Sequence, residues 1–135
     1  MADDYNGIII PVTEWRTIID SFGKGGVPMP FVQEIFLFEC PVAGTTHVDG
    51  IEEKTSDIAQ GSLLAFRRES DNRYDSLAIL ILNSKDQKIG YVPRAKNEVL
   101  ARQMDGGKLL FGRVEDKRAQ GDWINIAVKV FMRDL

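Results

Sequence analysis

Trp123-Ile124-Asn125-Ile126-Ala127-Val128-Lys129-Val130-Phe131 alternates at a period of two. Ile124, Ile126, Val128 and Val130 share one side and Trp123, Asn125, Ala127, Lys129 and Phe131 the other, as in a strand with its aliphatic side on a core. Working outward, Leu77-Ala78-Ile79-Leu80-Ile81-Leu82 shows no alternation, which suits a strand covered on both faces. Asn83-Ser84-Lys85-Asp86 supplies a turn into Lys88-Ile89-Gly90-Tyr91-Val92, so this pair reads as a hairpin. Further strand candidates lie at about 35 to 43, 62 to 69, 87 to 92 and 108 to 114. Six strands fit a small barrel.

Between the fourth and fifth strands, residues 93 to 104 read as a helix, with Pro93 near the start, good helix formers inside and Asp105-Gly106-Gly107 as a stop. Ala95, Val99, Leu100 and Gln103 are expected along its packed face, with Met104 at the edge and Lys96 and Arg102 in solvent. A second, N-terminal helix is expected after Thr13 as N-cap. Trp15, Ile18, Ile19 and Phe22 form its apolar stripe, and Gly23 ends it. The run from Gly23 to Pro30 then breaks regular structure. Its Gly-Lys pair is no phosphate loop, because Ile18 and Gly25 stand where that pattern needs a glycine and a Ser or Thr.

With 135 residues, 44% hydrophobic and 27% charged, the chain suits one globular domain rather than a disordered or fibrous protein. The apolar run Leu77–Leu82 is far short of the roughly 20 residues a spanning helix needs. With an acidic start and no apolar targeting segment after it, a soluble cytoplasmic protein is expected. One cysteine, Cys40, and one histidine, His47, cannot by themselves build a disulfide framework or a structural zinc site. Seventeen Lys and Arg against 20 Asp and Glu give a net charge of −3, not the excess of an indiscriminate nucleic-acid binder. The deficit lies in residues 1 to 36, with five acids and two bases, so the remaining 99 residues are neutral and leave room for a local basic patch.

No acid-base or nucleophilic constellation surrounds His47 or Cys40, so a non-catalytic protein is expected. The polar segment Arg67-Arg68-Glu69-Ser70-Asp71-Asn72-Arg73-Tyr74-Asp75 is more informative. One reading makes it a structured turn in which Asp71, Asn72 and Asp75 bond their own backbone. Another makes Asp75 an acceptor for a sugar hydroxyl, Tyr74 a platform for a base and an arginine the phosphate contact. Arg94 opens a helix where a cation opposes the dipole, which hints at an anionic neighbour. Tyr91 reads equally as a core or a site residue, and Gly90 as a close-packing position. Trp123, Lys129 and Phe131 read either as a stacking platform or, preferably, as cover for the N-terminal helix with its Trp15 and Phe22.

Four motifs in order, Val42-Ala43-Gly44-Thr45-Thr46-His47, Gly61-Ser62-Leu63-Leu64-Ala65-Phe66-Arg67-Arg68-Glu69, Asp71-Asn72-Arg73-Tyr74-Asp75 with Ala78-Ile79, and Ile89-Gly90-Tyr91-Val92-Pro93-Arg94, resemble a HIRAN domain over about residues 36 to 133. The resemblance implies an α+β fold, mainly β: a small six-stranded OB-like barrel with a helix. Residues 1–35 are then an N-terminal helical extension and 36–135 the barrel domain. It also implies DNA binding, because in eukaryotic replication-fork remodellers the domain grips the 3′ end of single-stranded DNA. By resemblance, Asp75 meets the terminal 3′-hydroxyl and Tyr74 lines the end pocket. Thr46 and His47 stand where the family has an arginine and an aromatic, Tyr91 and Arg94 lie near backbone phosphates, and Arg73 replaces a usual proline. The expected partner is single-stranded DNA, with a helicase or nuclease encoded separately, and no membrane, cofactor or metal. The alternative is a protein-interaction or assembly module that keeps the fold without the DNA site.

Overall fold

The computed structural model describes residues 33–120 and 123–134, so the expected N-terminal helix lies outside the described residues. Six strands form one antiparallel sheet: β1 (Gln33–Pro41), β2 (Leu63–Arg68), β3 (Ile79–Leu82), β4 (Lys88–Tyr91), β5 (Leu109–Gln120) and β6 (Trp123–Asp134). Their spatial order is β1-β6-β5-β2-β3-β4. The sheet curls into a half-open barrel whose two edge strands meet at one place. Just past β1, Ala43 and Tyr91 at the end of β4 exchange both backbone hydrogen bonds at 2.8 Å, so each edge satisfies the other there.

The alternation read in β6 is the barrel's inner face: Ile124, Ile126, Val128 and Val130 are buried with Leu64, Ile79, Ile81, Ile89, Leu110 and Val114. Burying each such side chain contributes about 1.5–3 kcal/mol, so this face carries much of the stability. Two bulges, between Phe36 and Phe38 and between Val114 and Asp116, add the bend that lets long strands curl. β5 runs to Gln120 rather than stopping near residue 114, because its outer half pairs with β6 as far as Gln120 opposite Trp123. The pairing overrides the polar character of residues 115 to 120. β3 starts only at Ile79, since Leu77 lies in the preceding loop. Its hairpin with β4 is as expected, organised by buried Asn83, whose Oδ1 accepts the amides of Lys85 and Gln87 at 2.9 Å.

Helix α2 (Arg94–Asp105) plugs the barrel interior with Leu100 and Ala101. Its packed side is met in part: Leu100 is buried, Met104 packs against the core and Lys96 and Arg102 face solvent as expected, but Asn97 and Ala101 are buried while Ala95 and Val99 face solvent. The expected face is rotated from the observed one because the buried Asn97 belongs to the latter. Two shorter elements were not foreseen, a 3₁₀ turn (Thr45–His47) and α1 (Ile51–Lys54). Each starts after a glycine of positive φ, Gly44 at 77° and Gly50 at 70°, a conformation that costs glycine little. The Thr45 hydroxyl pins the 3₁₀ turn to β6 by donating to the Ile124 carbonyl at 3.1 Å.

Candidate functional site

The polar segment between β2 and β3 is a closed, internally bonded loop. The amide of Glu69 donates to the Ala78 carbonyl at 2.9 Å and shuts its base. Arg68, the last residue of β2, donates to the carbonyls of Ala78 and Ser76 at 2.8 and 3.0 Å and to both carboxylate oxygens of Asp105 at the far end of α2. That guanidinium holds the Asp105 carboxyl below its ordinary range. Inside the loop, the Asn72 Oδ1 accepts the amides of Tyr74 and Asp75 at 2.8 and 3.0 Å, the Asx-turn chemistry read from the sequence.

On this frame Tyr74 stands 81% exposed, with the Arg73 guanidinium 5.9 Å from its ring centroid. Asp75 points the other way. Its Oδ1 accepts the Leu77 amide at 3.0 Å, its Oδ2 accepts the Asn97 side-chain amide at 2.8 Å, and the Arg94 Nε lies 3.5 Å away. The Leu77 amide first, then Asn97, with Arg94 and Arg68 adding charge, hold the carboxyl below its usual range. The first turn of α2 contains no acid of its own, and Asp75 supplies one from the loop, compensating the dipole that Arg94 opposes. The side chain of Asp75 remains 17% exposed. A carboxylate has about four lone-pair sites, so these contacts do not exhaust its acceptor capacity.

Tyr91 joins the loop from β4. Its hydroxyl donates to Glu69 Oε1 at 2.7 Å, the oxygen that also accepts the Asn72 side-chain amide at 2.6 Å. The Lys88 ammonium lies 4.5 Å from the Tyr91 ring centroid. A chain of bonds therefore runs from β4 through Glu69 and Asn72 to the backbone of Tyr74 and Asp75. Burial first, then the hydrogen bond to Glu69, pushes the Tyr91 hydroxyl up to about 12. Asn72 and Tyr91 together hold the Glu69 carboxyl low.

The signs follow from linkage. The Glu69 contribution to stability is present above its usual 4.5 and fades as pH falls through the lowered value. The Tyr91 contribution is present below 10.0 and is lost as pH rises through about 12. An absorbance titration of tyrosinate is accordingly expected to show one late-titrating phenol near 12, absent in Tyr91→Phe. A late phenol that survives that substitution would refute the assignment.

The structure thus gathers Arg73, Tyr74, Asp75 and Arg94 at one end of the barrel and ties Tyr91 to them. Thr46 and His47 are exposed on the 3₁₀ turn, which begins at Gly44 beside the Tyr91 ring. Among the described residues, their side chains hydrogen-bond to none of this group. Arg68 and Glu69, which the sequence reading placed in the polar segment without a role of their own, and Lys88 and Asn97, which it did not single out, complete the arrangement. Asn97 left a signal, since it precedes Leu100, Ala101 and Met104 at i, i+3, i+4 and i+7. A cleft of about 160 Å³ lies elsewhere, lined by Glu53, Lys54, Ile58, Leu63, Asn83 and Lys85. Among the described residues no cluster of His, Cys, Asp or Glu is grouped to hold a metal. Cys40 is buried, and its thiol is pushed up to about 11 by that burial, so little of it is thiolate at neutral pH. No described helix is long and apolar enough to cross a membrane.

A small OB-like barrel that carries its polar chemistry on a rigid loop at one end defines the class. The model of the HIRAN domain matches residues 35–133, and the chain belongs to that family. A crystal structure of a protein from Lactobacillus plantarum is similar, with 27% identity and a TM-score of 0.72 over 77% of this chain and 99% of that one. The crystal structure of the HIRAN domain of human HLTF is 17% identical, with a TM-score of 0.57 over 74% of this chain and 78% of that one. The NMR structure of the same human domain in its DNA-bound conformation is 19% identical, with a TM-score of 0.52 over 74% and 79%. These two human structures share the fold. No curated protein matches.

Proposed function

We propose that this chain is a non-catalytic module that binds single-stranded DNA near a 3′ end, as an accessory to repair or replication enzymes. The observation that carries the reading is Tyr74, an exposed ring on a backbone held by Asn72, with the Arg73 guanidinium beside it and Arg94 paired to the adjacent Asp75. Base stacking on such a ring is tolerant of sequence, and the two guanidiniums of the loop and the helix start can supply phosphate contacts without any base-edge reader. The human relative in a DNA-bound conformation supports the same use of the fold.

In this reading Asp75 has two tasks. Its bonds to Asn97 and Arg94 set the position of the helix start, and its remaining acceptor capacity takes the terminal hydroxyl. Tyr91, through Glu69, keeps the loop in place, and Thr46 and His47 form the outer wall beside Gly44. With two or three phosphates engaged, the salt dependence is shallow, on the order of −0.7 per contact in the log-log slope.

Fluorescence anisotropy with otherwise identical oligonucleotides ending in a 3′-hydroxyl or a 3′-phosphate tests the reading. The hydroxyl end is expected to bind more tightly, since a phosphate would meet the Asp75 carboxylate. Equal affinities would remove the end recognition and leave a strand binder. No binding at low salt would favour a protein-interaction module instead, a reading supported by threonine rather than arginine at Thr46.

A further inference from the structure

The packed side of α2 carries a polar residue among aliphatic ones. Asn97 is 3% exposed and shares its face with Leu100, Ala101 and Met104, which pack on the core. Asparagine is a poor helix former, and an amide taken out of water costs stability unless a partner meets it, so an aliphatic side chain would suit that position better as packing. The partner is Asp75, whose Oδ2 accepts a hydrogen bond from the Asn97 side-chain amide at 2.8 Å, across 22 positions. We propose that Asn97 is a positioning residue that sets the preference for a hydroxyl over a phosphate at the strand end, by holding the Asp75 carboxylate in one orientation without neutralising it. This rests on the end-binding reading above.

Three groups hold that carboxylate, and they hold it differently. The Leu77 amide donates to Oδ1 at 3.0 Å, a bond within the loop that orients one oxygen. Asn97 donates to the other oxygen from a helix locked by the core, so the two bonds together fix the plane of the group as neither does alone. The Arg94 Nε stands 3.5 Å from Oδ2 on a side chain that is 79% exposed, a contact too long and too free to fix an orientation.

The chemistry of the donor matters as much as its place. An amide is uncharged, so Asp75 keeps its negative charge beside Asn97, whereas a lysine or arginine at that position would cancel it. A carboxylate held by two donors still has lone pairs for a third. It accepts a terminal hydroxyl through a charge-assisted bond and repels a terminal phosphate, which brings negative charge of its own. Without Asn97 the same carboxylate turns about its side-chain torsions. Binding a hydroxyl then has to restore the order that Asn97 maintains in advance.

Anisotropy with oligonucleotides that differ only in a 3′-hydroxyl or a 3′-phosphate measures the preference as a ratio of affinities. Asn97→Leu, close to asparagine in shape, is expected to reduce that ratio about fivefold, the effect of one side chain left to be ordered on binding. The loss is expected at the hydroxyl end alone, with the phosphate-ended strand bound as by the parent. Equal loss at both ends would mean that Asn97 only supports the fold, and an unchanged ratio that it plays no part in end choice; either overturns the proposal. In an Asp75→Asn background, Asn97→Leu is expected to change the ratio no further, since Asn97 acts through that carboxylate, and a further drop overturns the proposal too. A measurement on the parent covers the case in which Asn97→Leu does not fold. The nuclear magnetic resonance signal of the Asn97 side-chain amide is expected to shift on acidification with a midpoint below 3.8, following the Asp75 carboxyl that its bond helps to hold low. No shift, or one at the ordinary value, overturns the proposal. A parent that binds both ends alike removes the end reading and this proposal together. A parent that prefers the hydroxyl, beside an Asn97→Leu chain that prefers it as strongly, removes this proposal alone.

Discussion

Gly90→Val is expected to lower the stability of the chain by about 3 kcal/mol, the upper part of the range for an overpacked interior site. A Cβ at Gly90 would collide with the Val42 side chain and stand 2.5 Å from the Ala43 carbonyl oxygen. Val42 is buried and cannot swing into solvent. The Ala43 oxygen accepts the Tyr91 amide in the bridge where the two sheet edges meet, so moving it opens the barrel. The added methyls therefore cost both packing and two backbone hydrogen bonds. Urea denaturation of the variant measures this as a lower midpoint, and an unchanged midpoint would show that the edges have room to part. Because Tyr91 also braces Glu69, a weakened closure is expected to loosen the loop that bears Tyr74.

Tyr74→Ala is expected to leave the denaturation midpoint unchanged and to weaken single-stranded DNA binding by about tenfold or more, the effect of losing one base-stacking ring. The separation of the two effects follows from the local geometry. Asn72 holds the Tyr74 backbone amide whatever the side chain, and the exposed ring contributes little to the core. Tyr74→Phe keeps the π face and is expected to bind nearly as the parent does. Anisotropy titrations of the three proteins at one fixed salt concentration decide the matter. Parent-like affinity in the alanine variant would move the binding surface away from this loop.

The strands and the long helix were legible because their signals are local. In β6 the alternation of Ile124 to Phe131 reports which side chains avoid water, whereas the unbroken apolar run of β3 marks a covered strand without saying which side faces in, and the structure buries Ile79, Ile81 and Leu82. Helix α2 was legible in existence but not in orientation. The expected face named Leu100, which is buried, but also Ala95 and Val99, which face solvent, and it omitted Asn97, whose amide is satisfied by a carboxylate 22 positions earlier. The loop was legible as an Asx turn from Asn72 alone, since that bond spans two or three residues.

What the chain settled by itself is therefore whatever depends on neighbours a few positions apart: period, turn chemistry, and the motif order that marks the HIRAN family. The tertiary structure decided which distant groups meet. Arg68 reaches Asp105 across 37 positions, Tyr91 reaches Glu69 across 22, and Ala43 pairs with Tyr91 only because the sheet curls far enough for its edges to touch. Side-chain hydrophobicity and backbone propensity act at short range along the chain, so they are written in sequence. Strand order, register and curvature are set by packing the whole core, and they alone bring Arg94 and Asn97 to the Asp75 carboxylate and Tyr91 to Glu69.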